Sequence, residues 1–249
     1  MGFGLFIIGD EILSGKRQDA HFPKVRELLA ARGLELGWVQ YLGDDRARLA
    51  RAFAHSFAGD DIVFSCGGIG ATPDDHTRQA AAQALGLPLA LHPEAERLIR
   101  ERSAEVGLPA TPGRLGMGEF PQGAEIIPNP YNRIPGFSIC RHWFVPGFPE
   151  MAWPMLEWVL ETHYHAHFNA HPTEERACRV HGLAEATLTP LMQEVEARWP
   201  GIKVFSLPRL NPAGYDIELG VKGPPPALEA AFAALRAGAL ALGGRVDTA

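Results

Sequence analysis

Apolar and polar positions along the first half of the chain alternate in a way that predicts strands and helices in succession. Phe3 to Ile8 is a continuous apolar run of buried-strand length, ending in the polar loop Gly9–Gly15. From His21 to Arg32, residues Phe22, Val25, Leu28 and Leu29 recur at helical spacing, and Gly33 marks the stop. Trp38 to Leu42 reads as a second strand, followed by Gly43-Asp44-Asp45. Arg46 to Phe57 is helical, with Leu49, Phe53 and Phe57 on one face. Ile62 to Phe64 is a third strand, and Thr77 to Leu85 another helix. This succession predicts an α/β fold: a mostly parallel sheet covered by helices.

Further on, Glu94 to Gly107 reads as a helix, Arg114 to Pro121 as a loop and Ala124 to Pro128 as a strand. Residues 129–137 are rich in turn formers. Trp143 to Val145 is a short strand, and a helix is expected from Ala152 to His163. Near residue 170 the pattern changes, with His171-Pro172-Thr173 as a linker. Beyond it a small α+β domain is expected over 171–249: strands at Arg176–His181, Lys203–Leu207 and Asp216–Val221, helices at Thr187–Trp199 and Ala227–Leu242.

The richest chemistry lies between the third strand and its helix, in Ser65-Cys66-Gly67-Gly68-Ile69-Gly70-Ala71-Thr72-Pro73-Asp74-Asp75-His76-Thr77. Glycines at a helix start let backbone N–H groups approach an anion closely, which suits a phosphate. Asp74 and Asp75 could hold a divalent metal there, or cap the helix. In parallel sheets ligands collect beyond the carboxyl ends of the strands. Asp10, Asp44 and Asp75 each follow a strand at that edge, with Glu11 beside Asp10; the general base is not singled out among them.

Other candidates have plainer readings. Core packing is expected for Phe148 and Tyr131, with stacking on a ligand ring as the alternative. Arg133, with Lys16, Arg17 and Arg78, could meet a phosphate. His163, His165, His167 and His171 read as a polar helix end and linker rather than a zinc site. Cys66 reads as a small buried residue closing its strand.

Composition narrows the field. A chain of 249 residues holds one large domain or two modest ones. A formal charge of −6 does not encourage nucleic-acid binding. Three separated cysteines form no metal spacing and no disulfide framework. The start carries no basic leader, and no apolar run reaches membrane-spanning length, so a cytoplasmic protein with no membrane partner is expected.

The motifs at 9–15, 43–45 and 67–77, with Asn132-Arg133-Ile134-Pro135-Gly136 and Val145-Pro146-Gly147-Phe148-Pro149-Glu150-Met151, together resemble the molybdopterin-binding (MoaB/Mog) domain of molybdenum-cofactor biosynthesis. Asp74-Asp75 and the Pro-Gly pair at 135–136 resemble its CinA (competence/damage-inducible protein A) branch most. The resemblance covers residues 1–170 and implies a three-layer α/β/α, MogA-like domain. His181-Gly182-Leu183-Ala184-Glu185-Ala186-Thr187 resembles the start of the small KH-like domain that follows in CinA. By the resemblance, the first domain binds a small phosphorylated ligand, either molybdopterin or a nucleotide diphosphate. In the CinA branch it is associated with metal-dependent hydrolysis of ADP-ribose-like pyrophosphates. The implied catalytic residues are Asp75, Asp44 and Asp10. Asp75, Asp74 and Asp44 would hold a divalent metal such as Mg²⁺. Gly67, Gly68, Gly70, Thr72, Pro135, Gly136, Pro146 and Gly147 would contact the ligand. A homo-oligomer is implied, with no tightly bound organic cofactor. The amidase domain usual at the C-terminus of CinA proteins is not expected in this chain. His21 stands where many members carry asparagine, Ser65-Cys66 precedes the glycines in place of the more usual threonine pair or Ile-Thr, and Arg133-Ile134 replaces a smaller pair before Pro135; these departures are expected to line or approach the pocket.

Overall fold

The computed structural model describes residues 2–170, 173–211 and 214–248. The chain divides between Phe168 and Asn169 into two compact units. His171 and Pro172 of the expected linker lie outside the described residues.

In the first unit, β1 (Phe3–Ile8), α1 (Asp10–Leu13), α2 (His21–Ala30), β2 (Leu36–Leu42), α3 (Arg46–Phe57), β3 (Ile62–Cys66) and α4 (Thr77–Leu85) follow one another. Next come β4 (Leu89–Leu91), α5 (Pro93–Glu105), α6 (Pro112–Leu115), β5 (Glu119–Pro121), β6 (Glu125–Ile127), β7 (Gly136–Ile139), β8 (His142–Val145) and α7 (Pro149–His163). Six strands form one sheet in the order β2-β1-β3-β8-β7-β6. The pairs β1–β2, β1–β3 and β3–β8 are parallel, and β7 runs antiparallel to both its neighbours. β4 and β5 pair separately.

Alternation along β1 builds both faces of the sheet. Phe3, Leu5 and Ile7 pack with Val25, Leu28 and Leu29 of α2 and Met155, Leu156, Val159 and Leu160 of α7. Phe6 and Ile8 pack on the other face with Leu49 and Phe53 of α3, Ala80 and Ala81 of α4, and Phe144. β1 and β3 are buried along their whole length, which is why they read as uninterrupted apolar runs. The result is three layers, helix–sheet–helix.

Six elements differ from the sequence reading. The segment after β1 is a helical turn over Asp10–Leu13 rather than a plain loop. The turn-rich stretch holds β7, whose first residue Gly136 lies so close to β8 that a Cβ would stand 2.3 Å from the Phe144 carbonyl oxygen. Residues 112–121 hold α6 and β5, and 89–91 hold β4. The second unit also has one more strand than expected.

That unit contains β9 (Glu174–His181), α8 (Glu185–Arg198), β10 (Lys203–Asn211), β11 (Gly214–Gly223), α9 (Pro225–Ala241) and β12 (Arg245–Thr248). Its antiparallel sheet has the order β10-β11-β9-β12. Cys178 and Val180, with Ile217, Leu219 and Val221, turn to α8 and α9 and form a separate core. His181 ties β12 in place, with Nδ1 2.5 Å from Asp216 and Nε2 2.9 Å from Asp247.

Candidate functional site

Because β1, β2, β3 and β8 run in one direction, the loops leaving them share one edge of the sheet. The edge is stitched together by backbone: Gly9 N–H donates to Leu42 O at 3.0 Å, and Gly67 N–H to Val145 O at 3.0 Å. A cleft of about 530 Å³ opens there, lined by Gly9, Glu11, Asp44, the Gly67–Thr72 loop, Asp74, Asp75 and Pro146–Phe148.

The glycine loop owes its shape to close approach. Gly67 has φ 110°, and a Cβ there would stand 2.2 Å from the Ile8 carbonyl oxygen. Gly68 has φ 69°, and its Cβ would stand 2.2 Å from Thr77 Oγ1. Residues other than glycine do not fit either place.

The start of α4 then fixes four consecutive carbonyls. Thr77 Oγ1 donates to Gly67 O at 3.0 Å, and Thr77 N–H to Gly68 O at 3.0 Å. The buried Arg78 guanidinium donates to Ile69 O at 3.0 Å and to Gly70 O at 2.8 Å. Every peptide bond here is trans, so each N–H lies opposite the preceding carbonyl. The N–H groups of Gly68, Ile69, Gly70 and Ala71 therefore point away from α4. None has a protein acceptor among the described residues. Four unpaired donors in a row form a nest for an anion.

The carboxylates surround this nest without converging. Asp10 and Asp44 exchange bonds: Asp10 N–H donates to Asp44 Oδ2 at 2.8 Å, and Asp44 N–H to Asp10 Oδ1 at 3.2 Å. Asp10 is thus committed to the neighbouring loop and does not line the cleft, whereas Asp44 does. Burial raises the Asp44 carboxyl above the ordinary range; the Asp10 amide opposes this, and the charges of Asp10, Glu11 and Asp74 add to it. Asp75 accepts from Thr72 N–H at 2.8 Å and Thr72 Oγ1 at 2.5 Å, closing the loop upon itself. Asp74 is exposed. Thr72, Pro146 and Gly147 line the cleft.

The acidic side chains Glu11, Asp44, Asp74 and Asp75 share the lining with one cationic side chain, Arg17, which lies 3.8 Å from Glu11 and over the Phe148 ring. No group of three His, Cys, Asp or Glu side chains is drawn close enough to cage a metal among the described residues. Such a donor set still fits Mg²⁺, which is usually held by one or two carboxylates plus water and phosphate oxygens.

Several expected residues lie elsewhere. Pro135 and Gly136 are buried at the start of β7 and do not line the cleft; their signature is a packing requirement. Arg133 pairs with Glu105 at 2.6 Å. Arg78 is buried beneath the loop, occupied with carbonyls. Lys16 is exposed and does not line the cleft. Phe148 and Tyr131 are not core residues: they are 52% and 64% exposed, and Phe148 lines the cleft. Cys66 is buried as expected, and burial pushes its thiol far up. His21, one of the departures from the family pattern expected to line or approach the pocket, borders the cleft region, as described below.

A three-layer helix–sheet–helix fold with its cleft at the carboxyl edge of a mostly parallel sheet defines the class: an α/β domain of the MoaB/Mog kind. The family model described as "Probable molybdopterin binding domain" matches residues 4–165, and the chain belongs to that family. A CinA-like protein of Geobacter metallireducens is 32% identical over 209 residues, covering 82% of this chain and 51% of that protein. A CinA-like protein of Syntrophotalea carbinolica is 29% identical over 229 residues, covering 90% of this chain and 52% of the relative. The chain thus spans about half the length of these curated relatives. The crystal structure of CinA from Thermoplasma acidophilum is similar at a TM-score of 0.58 and 25% identity, over 64% of this chain and 96% of that one. No helix among the described residues is long and apolar enough to cross a membrane.

Proposed function

We propose that the cleft binds the diphosphate of a nucleotide and hydrolyses it, with ADP-ribose-like compounds as the substrate class. The observation that carries this reading is the run of four amides, Gly68 to Ala71, held open toward an anion by Thr77 and Arg78. Preorganised donors of this kind stabilise charge that builds on phosphate oxygens during attack. A dianionic group beside four carboxylates needs a counter-charge, so binding is proposed to require a divalent cation, Mg²⁺, with Asp44, Asp74 and Asp75 as the side chains that would hold it. When bound, the cation would neutralise the diphosphate and polarise the phosphoryl group. Water adds to one phosphorus, the bridging P–O bond breaks, and two phosphomonoesters leave. Asp44, on the cleft lining beside the amides, would orient that water through the cation it helps to hold, and the proton passes to solvent. Asp10 serves as a positioning residue through its exchange with Asp44. The active species is proposed to be a homo-oligomer without nucleic-acid partners.

The test is turnover of ADP-ribose and FAD by the purified protein across Mg²⁺ concentrations. The expected result is metal-dependent release of AMP that falls at least about a hundredfold in Asp75→Ala. Absence of turnover with every divalent metal tried would remove the enzymatic reading. A second reading, a binding module for the phosphate of molybdopterin, draws on the description of the matching family and on the lack of a closed carboxylate cage among the described residues. Tight molybdopterin binding without hydrolysis of any dinucleotide would favour it.

A further inference from the structure

Beside the cleft lies a cavity of about 30 Å³, which shares Ile8, Glu11, Arg17 and Gly147 with it. That volume holds one water-sized group, not a ring. His21 lines it, together with Cys66 and the apolar Ile7 and Ile12. The His21 ring is 5% exposed. Its Nε2 stands 3.1 Å from the Gly147 carbonyl oxygen, which cannot donate, so Nε2 carries the proton. Burial also pushes the imidazole below its ordinary pKa, against the opposing effects of Gly147 and Asp19, and keeps it neutral. Nδ1 is then a bare acceptor, and it is buried without a partner. An unmatched acceptor beside a water-sized space is costly unless something donates to it.

We propose that this side pocket recognises one hydrogen-bond donor of the cleft ligand, a hydroxyl or amino group, through Nδ1 of His21. On binding, the ligand group enters the side pocket and donates to Nδ1, with its carbon against Ile7 and Ile12. His21 is thereby a specificity residue: it separates ligands with a donor at that point from those without one. The Nε2 contact with Gly147, a residue of both cavities, sets the ring so that Nδ1 is presented. This inference rests on the reading of the cleft as a diphosphate site.

The test uses two probes, ADP-ribose (as its non-hydrolysable methylene-bridged analogue) and inorganic pyrophosphate, titrated calorimetrically with Mg²⁺ into the wild type, His21→Gln and His21→Asn. Glutamine can keep a donor for Gly147 but offers no acceptor at the Nδ1 position, whereas asparagine can place its carbonyl oxygen there. ADP-ribose is expected to bind roughly tenfold more weakly to His21→Gln, with recovery in His21→Asn and no change for pyrophosphate. In ¹⁵N spectra of the wild type, the unprotonated Nδ1 resonance is expected to shift with ADP-ribose and not with pyrophosphate, a measurement that needs no variant to fold. Equal binding of ADP-ribose to wild type and His21→Gln overturns the inference. So does an equal loss for both probes, or pyrophosphate binding with no binding of ADP-ribose. In those cases the diphosphate site survives; if neither probe binds the wild type, that site falls and the inference with it.

Discussion

Replacing Arg78 by methionine keeps an unbranched stem in a site only 5% exposed and deletes the guanidinium that holds the Ile69 and Gly70 carbonyls at 3.0 and 2.8 Å. Hydrogen bonds from a charged donor contribute about 1.5–3 kcal/mol each, so the two together set a gross loss of about 3–6 kcal/mol. Part of that is returned. The guanidinium Nε is buried without a partner, and burial lowers the Arg78 pKa, so the wild-type side chain carries a desolvation cost that methionine lacks. A net destabilisation of about 2–4 kcal/mol follows, within what a domain of ordinary stability survives. The functional effect is separate. With their carbonyls released, the peptide planes at 69–70 and 70–71 can turn, and the Gly70 and Ala71 amides lose their common aim. Pyrophosphate affinity is therefore expected to drop at least about tenfold, with Arg78→Lys in between. Urea denaturation and calorimetry read the two effects. A destabilised variant with wild-type pyrophosphate affinity would refute the claim that carbonyl anchoring aims the amides.

Two further outcomes follow from the titrating groups. The buried His142 donates from Nδ1 to Cys140 O and accepts from Ser56 at Nε2; burial lowers its pKa from 6.5 to about 4. The unfolded chain takes up this proton first, so the first unit should lose about 3 kcal/mol as pH falls from 6.5 to 4, and His142→Phe should flatten that window in denaturation measured against pH. Asp44 has the opposite sign. Its raised carboxyl binds a proton more tightly when folded, so its ionisation destabilises above the folded pKa and is relieved as pH falls. Asp44→Asn, which keeps an acceptor for the Asp10 amide, should stabilise the protein by less than about 1 kcal/mol at neutral pH and by nothing in acid, while weakening Mg²⁺-dependent ligand binding.

Much of this architecture is legible in the residues. α3 and α4 begin and end where periodicity and flanking residues place them, because Asp45 caps the one and Gly86, with φ 66°, stops the other. β1 and β3 declare themselves by being apolar on both faces. β4, β7 and β12 do not, since each is short and directly follows a residue that reads as a turn: Pro88, Pro135 and Gly244. The site divides similarly. Glycine spacing and loop carboxylates point to the cleft, but what each carboxylate holds is a tertiary matter: nothing at position 10 announces that its side chain serves the amide of position 44. Arg78 looks like a candidate phosphate ligand in a string of letters, yet it works from beneath, through carbonyls. Phe148 follows a strand end held by Gly67 N–H on the Val145 carbonyl, and its exposure at the cleft is a tertiary outcome that no local pattern encodes.

The crossed carboxylate–amide pair of Asp10 and Asp44 makes the tips of two strands mechanically interdependent. Under the proposed function, the Asp44 oxygen left over from the Asp10 amide is the one that would face the cation, so a substitution at position 10 would re-aim it without altering the cleft lining.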